Sequence, residues 1–216
     1  MSDPERIHRT VQRQLQAICV NLGTERMNEK IISFQAVDLG LSVLWADRNL
    51  GASLPSVDGY HYRWGDLSLW KNENFYYQKG VFDNISNNIG ENPNFDAAQY
   101  ECGEPWRLPS LSEINELIHC CTWIWQEADD VNFVLSGYEV FGMNGNHIFF
   151  PASGQGEGLM ENESYIEEFG IYGCYWSGNL CEDKYMAYEL RFRKDAISVY
   201  PQWRSRGNCI RPVCIK

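Results

Sequence analysis

No run of apolar residues in this chain reaches the roughly 18 that a transmembrane helix needs, so membrane insertion is not expected. The polar N-terminus, MSDPERIHRT, is followed by no apolar core, so a secretory signal peptide is not expected either. The expected address is the cytoplasm, or export as part of a particle such as a virion, unless a leader has been removed. Basic residues are also short: 18 Lys and Arg stand against 29 Asp and Glu, for a formal net charge of −11. Nucleic acid and anionic membranes both select a basic face, so neither is expected as the main partner. The eight cysteines form no CxxC pair, which excludes a zinc ribbon. Their even number invites a disulfide reading, but no secretory context supports it and Cys120 and Cys121 are adjacent. Free buried thiols are expected instead. None of His8, His61, His119 and His147 has a partner at HExxH spacing, and no GxSxG elbow frames a serine. GQGEG (154–158) follows no βα unit and reads as solvated loop rather than a phosphate cradle. Neither metal nor cofactor is expected.

Aromatics are abundant, with eight Trp and twelve Tyr. These residue types fill cores and also make rigid contact surfaces. Asp3, Pro4 and Glu5 suit the start of a helix, and Ile7, Val11, Leu15, Ile18 and Leu22 follow as one apolar stripe. The stripe packs on the protein's own body or joins subunits over residues 5–22 as a homo-oligomer. Tyr60, Tyr62 and Trp64 alternate with polar residues as in a strand. Residues 71–99 are Asn-rich and read as a long loop. Ser110 and Glu113 form a capping box ahead of Leu111, Ile114, Leu117 and Ile118, which predicts a second helix. Strands are expected at Tyr138–Val140 and His147–Phe150 around Asn144-Gly145. Residues 153–170 read as loop. Four further strands are expected at Cys174–Ser177, Ala187–Phe192, Ile197–Tyr200 and Cys209–Val213. This order suggests an α+β class, with residues 1–35 as helix and linker and 36–216 as the main domain.

The segments VDLGLSVLWADRNLGA (37–52), YHYRWGD (60–66), WRLPSLSEINELIHCCTWIW (106–125), GYEVFGMNGNHIFFPASG (137–154), GCYWSG (173–178) and RGNCIRPV (206–213) resemble the Fibrobacter succinogenes major paralogous domain, a family widespread in gut Bacteroidetes. The resemblance implies a C-type-lectin-like fold, akin to the formylglycine-generating-enzyme-like group, and a recognition role without assigned enzymatic activity. Some relatives are variable proteins of diversity-generating retroelements, in which the C-terminal part of the domain is rewritten to vary a binding surface. Here that part would be about residues 173–213.

Trp106, Trp123 and Trp176 fall inside these motifs and are expected in the core. Residues between the motifs are the better ligand contacts: Asn179, Glu182, Asp183 and Tyr185 after GCYWSG, then Tyr200, Gln202, Trp203, Arg204, Ser205, Arg206 and Asn208 near the end. Tyr, Trp and Arg dominate binding hot spots. Three functions follow: a non-enzymatic module binding a protein or glycan through this surface, an assembly protein joined by its N-terminal helix, or a copper or thiol oxidase-like enzyme using Cys209 and Cys214. For the last, positions five apart on one strand point to opposite faces, so the two thiols would diverge.

Overall fold

The computed structural model describes residues 34–70, 85–129, 131–132, 134–160 and 163–216. The chain divides at residue 31, and every described residue belongs to the second unit. The expected N-terminal helix, and residues 71–84 of the Asn-rich stretch, lie outside the described residues.

Strand accounts for 41% and helix for 10%, with two helices among the described residues. The expected α+β, C-type-lectin-like class with an N-terminal helix is thereby corrected to a mostly-β arrangement of several sheets. Strands β1 (Ala36–Val37), β2 (Val43–Ala46) and β13 (Val213–Ile215) form one sheet in the order β1-β2-β13. The largest sheet runs β11-β10-β9-β12-β3, built from β3 (His61–Tyr62), β9 (Tyr172–Leu180), β10 (Met186–Arg193), β11 (Ala196–Trp203) and β12 (Asn208–Cys209). A third consists of β4 (Thr122–Gln126), β5 (Gly137–Phe141) and β6 (His147–Pro151). Strands β7 (Gln155–Met160) and β8 (Glu163–Glu167) pair as a hairpin. Helices α1 (Ala97–Cys102) and α2 (Leu111–Cys120) complete the described elements.

Helix α2 starts where its chemistry says it should. The Ser110 hydroxyl accepts from Glu113 N, and the Glu113 carboxylate accepts from Ser110 N, so two otherwise orphaned donors are satisfied. Glu113 is anchored in turn by Arg107, at 2.6 and 2.9 Å. Asp96 caps α1 by accepting from Ala98 N and Gln99 N, within a stretch the sequence presents as loop. At Cys121 the backbone turns extended (φ −111, ψ 156) and feeds directly into β4. The expected hairpin forms between β5 and β6, with Gly142 N donating to Asn146 O at 2.8 Å and Gly145 at φ +86 at the tip.

The five-stranded sheet separates two apolar cores. Tyr175, Leu190 and Phe192 face Trp45, Phe150 and Leu117 on one side. Trp176, one residue on from Tyr175, joins Tyr62, Trp64 and Leu108 on the other. Such alternation is the pleat of β9 put to use. Both indoles are tethered as well as buried, Trp64 Nε1 donating to Ser177 O and Trp176 Nε1 to Tyr62 O, each at 2.7 Å. Burying an apolar side chain of this size contributes about 1.5–3 kcal/mol. Trp176 thus lies in the core as expected, while Trp106 and Trp123 are half-buried. His61 is buried along with Tyr62, so β3 lacks the exposed face that its alternation predicts.

Candidate functional site

The second face of the five-stranded sheet changes character along its length. Strands β10 and β11 pair without a bulge from Met186↔Trp203 to Arg193↔Ala196, and β9 pairs the other side of β10. Cross-strand partners share a face. Rows of side chains therefore read Tyr172–Arg193–Ala196, Cys174–Arg191–Ser198 and Trp176–Glu189–Tyr200, with Ala187 beside Gln202 further on. Toward Ala187 this face closes over the second core. Toward Arg193 it opens to solvent.

At the opening, the Arg191 guanidinium lies 4.5 Å from the Tyr172 ring centroid and 6.0 Å from that of Tyr200. A cation over an aromatic face is favourable by roughly 0.5–1 kcal/mol at exposed sites. Its Nη2 donates to Glu168 at 3.0 Å, and Arg193 donates to the Tyr172 hydroxyl at 3.0 Å. Nearby, the Lys184 ammonium sits 5.3 Å from the Tyr185 centroid. Tyr185, Tyr200 and Trp203 are 41%, 51% and 50% exposed.

Beneath the opening lies a buried polar network. Glu189 is fully inaccessible, at 0%. Its Oε2 accepts from the Gln155 amide at 3.1 Å and from the Asn208 amide at 2.5 Å. Gln155 also donates to Asn208 at 2.8 Å and accepts from Gln202 at 3.2 Å. Glu189 Oε1 has no hydrogen-bond partner, and Arg191 Nη1 lies 3.6 Å away. Burial pushes the Glu189 carboxyl up to about 7, against the opposing pull of Asn208 and Arg191. Arg206 forms ion pairs with Glu157 at 2.5 Å and Glu167 at 3.8 Å, and its hydrogen bond holds the Glu157 carboxyl below its ordinary value.

The residues expected to form one contact surface divide into three sets, exposed, buried and half-buried. Glu182, Asp183, Tyr185, Tyr200 and Trp203 are exposed. Gln202, Arg204 and Asn208 are buried and belong to the framework. Arg204 stacks its guanidinium 4.6 Å from the Trp64 centroid and donates to Lys184 O. Asn179 is half-buried and accepts from Leu111 N at 2.8 Å, tying β9 to the start of α2. Ser205 and Arg206 are half-buried in the turn that Arg206 N closes on Trp203 O. Tyr172, Arg191 and Arg193 were not anticipated. The available signal was the same-phase run Glu189, Arg191, Arg193, a charged stripe on a strand next to Tyr200. The loop expected at 153–170 is instead the β7–β8 hairpin, with Gln155 and Glu157 buried.

Cys209 and Cys214, expected on one strand, occupy β12 and β13 in different sheets. Cys209 Sγ lies 3.6 Å from His61 Nε2 and 3.3 Å from Asp58 O, and His61 Nε2 lies 3.1 Å from Ser153 O. Burial pushes the Cys209 thiol far up and the His61 imidazole down. Burial thus disfavours both the thiolate and the imidazolium, although the neighbouring Asp58 carboxyl opposes this for the ring, and the pair is unlike an activated thiolate. Among the described residues, no group of three or more His, Cys, Asp or Glu is placed to hold a metal ion. No described helix is long and apolar enough to cross a membrane.

No family model matches the chain, and no curated protein or solved structure matches it either.

Proposed function

We propose that this chain is a non-enzymatic recognition module that binds a protein or glycan through the exposed part of the β9–β10–β11 face and its edge. The resemblance to the Fibrobacter succinogenes paralogous domain supports this reading, as does the division of the C-terminal region into a fixed frame and an open surface. One observation carries it. Of the four exposed aromatic side chains among the described residues, Tyr100, Tyr185, Tyr200 and Trp203, three gather around this edge. They stand on a buried polar network and a core in which the Trp64 and Trp176 indoles are both tethered, so the rings are held on a rigid base at low entropic cost. Arg191 and Lys184 add charge-assisted contact beside them. Retroelement diversification would act on the exposed set, Glu182, Asp183, Tyr185, Tyr200 and Trp203, and spare Gln202, Arg204 and Asn208.

The test is a screen of the full chain on glycan and protein arrays, followed by calorimetry on each ligand found. Tyr200→Ala or Trp203→Ala should weaken binding by roughly 10- to 30-fold, the loss of a hot-spot side chain. Unchanged affinity in both variants and in Tyr185→Ala would overturn the reading.

A further inference from the structure

We propose that Arg191 is a two-position guanidinium whose choice between Glu168 and Glu189 sets the arrangement of the Tyr172 and Tyr200 rings, so that this surface responds to pH. The geometry is that of a side chain between two acids. Nη2 is bonded to Glu168 at 3.0 Å, whereas Nη1 forms an ion pair with Glu189 Oε1 at 3.6 Å, beyond hydrogen-bond range. Glu189 Oε1 lacks any other partner, while Oε2 is saturated by two amides. A proton on Glu189 therefore resides on Oε1, the oxygen that faces the guanidinium. Once that proton leaves, a buried carboxylate oxygen holds a long ion pair but no hydrogen bond, a costly state that Arg191 relieves by moving less than 1 Å toward it. The same movement lengthens the bond to Glu168. It also shifts the plane on which Tyr172 and Tyr200 rest, because both rings contact this guanidinium.

The other groups facing Glu189 cannot substitute for it. Cys174 on β9 is buried, and burial keeps it a neutral thiol. Arg206, before β12, is engaged by Glu157 and Glu167. Gln155 from β7, Asn208 from β12, Gln202 from β11 and Trp176 from β9 carry no charge. Tyr200 is the phenol paired across from Glu189 on β11, and Glu168, after β8, is the acid that holds Arg191 when Glu189 is neutral. Burial places the Glu189 transition near pH 7, within the range a cell or its surroundings can cross.

The proposal deepens the binding role assigned to this face and rests on it for its purpose, but the experiment needs no ligand. The full chain, labelled at Arg, Glu and Tyr, is followed by NMR from pH 5 to 8.5. The Arg191 side-chain nitrogens and the Tyr172 and Tyr200 ring signals should shift with one shared midpoint, matching that of the Glu189 carboxyl carbon. Glu189→Gln should abolish this shared transition, and Glu168→Gln should leave it in place with a displaced midpoint. Ring signals that stay fixed while Glu189 titrates, or a shared transition that persists in Glu189→Gln, overturn the proposal. Should Glu189→Gln not fold, the carboxyl carbon of the unaltered chain decides alone, by matching or failing to match the ring midpoints. A ligand screen that finds nothing refutes the binding role and leaves this titration standing, so the two failures are separable.

Discussion

Tyr200 and Trp203 lie three residues apart on one strand, in unbroken register with Glu189 and Met186, and so project from opposite faces of the sheet. A ligand touching both must wrap the free edge of β11 rather than lie flat. Because the two rings share no neighbour across the pleat, their effects should be independent. Tyr200→Ala and Trp203→Ala should each change unfolding free energy by about 0.5 kcal/mol or less, as exposed positions do. The double variant should be additive within about 0.5 kcal/mol. Urea denaturation checks this, and a coupling above about 1 kcal/mol would mean that the rings meet.

The parts of this fold that were legible in the sequence are those whose determinants are local. Ser110 and Glu113 announce α2 because a capping box is satisfied within four residues. Asn144-Gly145 between alternating runs announces β5 and β6. The β7–β8 hairpin was hidden because Gly156 answers to a distant constraint. Gly156 and Gly207 pair through reciprocal backbone bonds of 2.6 and 3.0 Å, and the Trp70 indole lies across both. A Cβ at either position would come within 2.7 or 2.6 Å of that ring. Glycine there serves close packing, yet in sequence it looks like flexibility. The site divides in the same way. Tyr200 and Trp203 could be picked out by residue type, but Gln202 and Asn208 look equally solvent-loving until Gln155 and Glu189 are placed against them.

Arg211 is the deepest cation among the described residues, at 1% exposure. No carboxylate is bonded to it. Nε and Nη2 both donate to Asn49 Oδ1, Nη2 also reaches Phe149 O at 2.7 Å, and Nη1 reaches Ala46 O at 3.3 Å. The guanidinium rests 4.3 Å from the Phe150 centroid, and burial drags its pKa down to about 10. Removing it orphans three buried acceptors, each costing about 1–3 kcal/mol. Arg211→Leu should therefore destabilise by about 3 kcal/mol or more, with a correspondingly lower Tm in calorimetry. A loss under about 1 kcal/mol would show that Asn49 and Phe149 find other donors.

Glu189 and Asp96 should make the stability of this protein depend on pH in a direction opposite to that of surface acids. Both are pushed up by burial, Glu189 to about 7 and Asp96 to about 6, even though Asp96 accepts from the backbone N–H groups of Glu91, Ala98, Gln99 and Leu108. A carboxyl whose folded pKa is raised contributes stability below its unfolded value, and that contribution is lost as pH rises through the folded one. His61 works the other way in the same window. Burial lowers its pKa, so its neutral form favours folding more as pH rises toward about 6.5. Comparing Glu189→Gln with the unaltered chain cancels the His61 and Asp96 contributions. The variant should gain stability relative to the parent between pH 5 and 8, by up to about 3 kcal/mol from a shift of this size. A difference that stays flat across that range would mean that Glu189 ionises at its ordinary pH.

The thiols offer a direct check on whether cysteine chemistry belongs to this protein. Thiolate is the reactive form, so burial and a raised pKa both protect. Cys174, Cys209 and Cys214 are buried, and burial raises the pKa of all three. Cys102, Cys121 and Cys181 are half-buried and pushed up to about 12, 11 and 11. Cys120 is exposed at the end of α2. A thiol reagent at pH 8 should therefore modify Cys120 first among the described cysteines, Cys121 and Cys181 slowly, and Cys209 and Cys214 only after denaturation. Mass spectrometry of digested, time-sampled protein reads this order. Native Cys209 that reacts as fast as Cys120 would mean that the His61–Cys209 pair opens to solvent and carries a thiolate, and would restore the oxidase-like alternative.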